Sequence, residues 1–90
     1  MGTLTTADKQ LIMEFPILQE NQVAVIHAEK ATGHVLDLEY NLYRKDKPKS
    51  VYSIFESMQL AEQYIERIKA QRNDLEFVVY DRNESVLKIL

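Results

Sequence analysis

Ser57-Met58-Gln59-Leu60-Ala61-Glu62-Gln63-Tyr64-Ile65-Glu66-Arg67-Ile68-Lys69-Ala70-Gln71-Arg72-Asn73 reads as one amphipathic helix, and the rest of the fold follows from it. Met58, Ala61, Tyr64, Ile65 and Ile68 recur at helical spacing, while Gln59, Glu62, Gln63, Glu66 and Arg67 fill the opposite side. Ser57 is a favourable N-cap, because its hydroxyl can take one of the orphan amides of the first turn. Lys69 and Arg72 suit the negative end of the helix dipole, and Asn73 is placed for a left-handed cap. A helix with a single apolar stripe needs one apolar surface to lie on. The flanks must supply a sheet.

They do so on both sides. Val51-Tyr52-Ser53-Ile54-Phe55 precedes the helix and Leu75-Glu76-Phe77-Val78-Val79-Tyr80 follows it, both rich in β-branched and aromatic residues. Asp81-Arg82-Asn83-Glu84 reads as a turn and Val86–Leu90 as a closing strand. Upstream, Val23-Ala24-Val25-Ile26-His27-Ala28 is a buried-strand run ended by a loop that contains Gly33. Leu36, Leu38, Tyr40 and Leu42 then alternate with Asp37, Glu39, Asn41 and Tyr43, which predicts a half-buried antiparallel strand. Hairpin pairing near Glu29 and His34 puts His27 opposite Leu36.

The chain before Gln22 reads two ways. Thr5 or Thr6 could cap a short helix through Phe15, stopped by Pro16. An edge strand over Leu11–Leu18 is the rival, with Pro16 on an unpaired side. The predicted order is (α)-β-β-β-α-β-β. It describes one α+β domain over residues 1–90, a single mixed or antiparallel sheet of about five strands with one long helix packed on one face.

Composition narrows the chemistry. Leu, Ile, Val and Phe supply 27 of the 90 residues, enough to support a folded core. The chain has no cysteine, which removes disulfides, thiolate metal sites and thiol nucleophiles. No apolar run approaches the roughly 20 residues of a membrane span. No basic-then-apolar leader is visible at the start. The expectation is a cytoplasmic protein with no membrane partner. The formal charge of −3 divides unevenly, with −4 over residues 1–43 and +3 in the short stretch Arg44–Lys49. One short basic loop on an acidic chain is a poor phosphate-binding surface, so nucleic acid is not an expected partner.

No catalytic set assembles from the residues. His27 sits in an apolar strand and His34 after a loop, and their spacing does not bring them together. A metal site needs three or four converging ligands, and no such set is visible. His27 therefore reads as a surface or half-packed histidine. Asp37 and Glu39 share a predicted strand face, yet nothing marks either as desolvated, as acid–base work would require. There is no Gly-x-Ser-x-Gly elbow and no glycine-rich phosphate loop, so neither a covalent intermediate nor a nucleotide cofactor is expected.

The surplus is aromatic. The chain holds five tyrosines and no tryptophan, and tyrosine suits half-exposed interfaces. Alternation places Asp37, Glu39, Tyr43, Glu76, Val78 and Tyr80 on the sheet face away from the helix, with Val86 and Lys88 beside them. An apolar and aromatic patch rimmed by acids reads as a partner-binding surface, unless the N-terminal segment covers it. The functional expectation is a small acidic non-enzymatic protein-binding module, of the inhibitor or immunity type, that masks a basic partner. Homodimerisation through the same face or through an edge strand is a version of it. The alternative is a small enzyme or ligand-binding domain using His27, His34 or the Asp37/Glu39 pair.

Overall fold

The structure, a computed structural model, describes residues 15–44 and 50–90. Its elements are β1 (Val23–Glu29), β2 (Val35–Leu36), β3 (Tyr52–Phe55), α1 (Met58–Gln71), β4 (Leu75–Tyr80) and β5 (Val86–Ile89). All strand pairs are antiparallel and belong to one sheet. This is the α+β architecture that the sequence predicts. The helix expected from Thr5 or Thr6 lies outside the described residues except for Phe15, which belongs to no helix or strand. Residues 15–18, the described part of the rival edge strand, are not in a strand either.

β1 is the central strand. One side of it pairs with β4; the other pairs with β3 along its first half and with β2 at its end. β5 extends the sheet beyond β4. Because β3 and β4 both run antiparallel to β1, they run parallel to each other, and α1 must carry the chain across β1 between them. Fourteen helical residues span about 21 Å, close to the roughly 20 Å of a six-residue strand, so one helix suffices for the crossing.

Ser57 caps α1 as expected, its hydroxyl accepting the Leu60 amide at 3.2 Å. The C-terminus differs from expectation. Asn73 is not left-handed; Arg72 ends the helix in an extended conformation, its amide bonded to the Ile68 carbonyl. The Arg72 guanidinium is held by both Asp74 oxygens, at 2.8 and 3.2 Å, and this fork directs the chain straight into β4.

Val23, Val25, Leu36, Leu75, Phe77 and Val79 from the sheet pack against Ala61 and Ile65 of α1 to form the core. β4 alternates between buried and half-buried, as a strand with one core face should. β1 is buried on both faces, which accounts for its unbroken apolar run. On the face away from the helix, the Phe15 ring meets Tyr52 and Tyr80 edge-on at 5.3 and 5.8 Å, and Leu18 is buried. Phe15 thus covers part of that face.

The principal departure is β2, a strand of two residues where the alternation predicts seven or eight. Beyond Leu36 the chain turns back on itself. The Asp37 carboxylate accepts the amides of Glu39 and Asn41, the Tyr40 amide reaches the Asp37 carbonyl, and Leu36 bridges Leu42. Tyr40 takes a left-handed backbone, φ 66°. An aspartate that satisfies its own downstream amides competes with a ladder, and here it wins.

Candidate functional site

The sheet register defines the face away from the helix residue by residue. Tyr52, Ile26, Val78 and Ile89 form one cross-strand row, and Ile54, Ala24, Tyr80 and Val86 the next. Glu76 lies on the same face, opposite Ala28. Glu76, Val78 and Tyr80 therefore come together as predicted, each half-buried. Val86 joins them through its pairing with Tyr80.

Asp37, Glu39 and Tyr43 do not. Their expected strand is the tight turn described above, at the β2 edge and so at the opposite side of the sheet from β5. Asp37 is 4% exposed, its carboxylate spent on backbone amides rather than facing water. Glu39 is exposed in the turn, and Tyr43 is half-buried with its amide on the Val35 carbonyl. Lys88 also departs from expectation. A shift in register near Tyr80 leaves it opposite Val79, on the helix side, where its ammonium pairs with Glu62 of α1.

The edge opposite β5 is made of β3 and β2: β2 is covered by the returning chain, through the Leu36–Leu42 bridge and the Tyr43 amide, while β3 has no strand beyond it among the described residues. β5 ends the sheet, with no strand beyond it among the described residues. Leu90 and Phe77 exchange both backbone hydrogen bonds, so by antiparallel alternation the Ile89 amide and carbonyl point outward. Val86 is 53% exposed and Ile89 is 60% exposed. β5 carries exposed apolar side chains and its one cation is drawn onto the helix, so charge does not guard this edge against strand addition.

A second cluster lies under the helix and was not foreseen. His27 is 1% exposed rather than superficial or half-packed. Its partner in β2 is Leu36, as the hairpin pairing predicts. Its Nε2 lies 2.8 Å from the Tyr64 hydroxyl, which lies 2.9 Å from the Tyr40 hydroxyl. The rings of Tyr40, Tyr64 and Phe77 surround the imidazole edge-on, and Nδ1 has no hydrogen-bond partner among the described residues. Burial lowers the imidazole pKa. Burial, and then the hydrogen bond to Tyr40, hold the Tyr64 phenol well above its ordinary range. The signal for this cluster was a lone histidine in a strand buried on both faces, with Tyr64 on the core stripe of the helix. Tyr40 could not be placed without the turn. His34 is exposed, bound through its amide to the Thr32 hydroxyl.

An open groove of about 610 Å³ runs beside the start of α1, with Val23, Met58 and Leu87 in its walls. Two of its three acids are engaged: Asp81 accepts the Asn83 and Ser85 amides, and Glu56 accepts from Gln22. Among the described residues no three His, Asp or Glu side chains converge as metal ligands, and no helix is long and apolar enough to cross a membrane. No protein-family model, curated protein or solved structure matches the chain.

Proposed function

We propose that this chain is a non-catalytic protein-binding module that docks through the β5 edge and the adjoining face of Glu76, Val78, Tyr80, Val86 and Ile89. The observation that carries the reading is the exposure of Val86 and Ile89 on a terminal strand whose outward backbone groups meet no further strand among the described residues. An extended segment of another protein laid along β5 would gain main-chain hydrogen bonds from the Ile89 peptide and apolar contact with Val86 and Ile89. The formal charge of −3 favours a cationic partner, whose approach would be hastened electrostatically. Masking of a basic active site, as an inhibitor or immunity-type protein does, is the role that suits these properties.

Use of the other candidate groups in catalysis has less support. Asp37 is committed to its turn, Glu39 is exposed beside it, and His27 is enclosed by aromatic rings.

Affinity capture from the source cell lysate, with the wild-type chain and the Ile89→Lys variant immobilised side by side, tests the proposal. The expected result is a basic protein retained by the wild type and lost with Ile89→Lys. Ile89 is exposed, so the substitution should change stability by no more than about 0.5 kcal/mol. Sedimentation equilibrium distinguishes the homodimer version: self-association abolished by the same variant would identify a second copy as the occupant. A strict monomer that retains no protein dependent on Ile89 overturns the proposal.

A further inference from the structure

The His27 cluster has a direction. A neutral imidazole carries one proton, on Nδ1 or on Nε2. On Nδ1 it would be a buried donor without an acceptor; on Nε2 it leaves only a bare lone pair at Nδ1, the less costly omission. The chain therefore runs from His27 Nε2–H to the Tyr64 oxygen, and from the Tyr64 hydroxyl to the Tyr40 oxygen. Tyr40 is its outer end, on a left-handed backbone that a bulky side chain rarely adopts.

Among the described residues no acceptor awaits a second imidazole proton. β2 and β4 present Leu36 and Phe77, and α1 presents Tyr64, with Arg67 acting on it electrostatically. The Tyr40 ring lies 5.8 Å from the Arg72 guanidinium, a further cation. Glu29, two residues along β1, accepts from Thr32, Asp74 is taken by Arg72, and Asp37 by its turn amides.

We propose that His27 is a pH latch: its protonation releases the turn of residues 37–41 from the helix while β1 and β4 stay paired. The imidazolium must reach water, and the turn is the cheapest cover to lift. It rests on His27 through one ring contact, on α1 through one hydroxyl pair and the Arg72 contact, on the core through the Tyr40 ring, and on Ser50 through the Leu38 amide, and lifting it lets Tyr40 leave its strained backbone. The alternative exits require separating β1 from β4 or from α1.

Amide hydrogen exchange by NMR on the full chain, alongside the His27 ring signals, tests the latch between pH 7.5 and 4.5. After correction for intrinsic rates, the Leu38 amide, whose acceptor Ser50 lies outside the turn, should open by up to about tenfold for each pH unit below the ordinary histidine value, one proton being taken up. The Val25, Phe77 and Val79 amides should stay protected throughout. His27→Gln should remove the response; Tyr40→Phe should loosen the turn at neutral pH and leave the pH dependence in place. Opening centred near pH 4 and abolished by Asp37→Asn would assign it to that carboxylate and overturn the proposal. So would a Leu38 amide that stays closed until the whole sheet melts. Should His27→Gln not fold, the wild type still decides, because opening and ring titration must then share one midpoint.

Discussion

Tyr40 and Tyr64 join hydroxyls at 2.9 Å across 24 residues of chain, and this pair is what fastens the turn after β2 to the helix. The two phenols are not equivalent. Tyr64 stands between His27 and Tyr40, whereas Tyr40 ends the chain.

Tyr64→Phe orphans a buried His27 N–H and should cost about 1–3 kcal/mol, while Tyr40→Phe should cost about 1 kcal/mol. Urea denaturation of both variants and of the double variant checks this. The double variant should lose less than the sum, because each single change breaks the shared contact.

Stability should fall with acidity in a defined window. Burial lowers the folded-state pKa of His27 below the ordinary 6.5. Near and below that value the unfolded chain takes up the proton first, so the contribution is complete above pH 6.5 and is lost as pH falls toward the folded value. The slope should approach, at most, about 1.4 kcal/mol per pH unit. Urea midpoints between pH 8 and 5.5 measure it, and His27→Gln should flatten the curve in that interval.

Phe15 supports the face opposite the helix. Phe15→Ala removes two edge-on ring contacts, each worth about 0.5–1.5 kcal/mol beyond area, so a loss of about 2–3 kcal/mol is expected on thermal or urea unfolding. Burial, with Glu84 and Tyr80 adding to it, pushes the Tyr52 phenol up to about 12. Uncovering Tyr52 should move its spectrophotometric titration back toward 10.

Much of this architecture was legible because the relevant signals are local. Ser57, the stripe from Met58 to Ile68, and the run from Leu75 to Tyr80 each carry their own structural preference, and tertiary packing agrees with all three. The segment from Leu36 to Tyr43 was not legible. Strict alternation fits both a long strand and a two-residue strand that folds back, and the difference is whether the Asp37 carboxylate caps its own turn. That single turn removed Asp37, Glu39 and Tyr43 from the predicted face and set Tyr40 against the helix. Lys88 crossed faces for a comparable reason, since the register shift beside Tyr80 is invisible to a period-two reading.

Amide exchange at Ile89, with and without the captured partner, decides whether β5 is the docking edge. If β5 is the docking edge, the outward-pointing Ile89 amide exchanges readily alone and becomes strongly protected in the complex. Tight binding that leaves Ile89 exchange unchanged, with protection appearing elsewhere on the chain, would contradict the account.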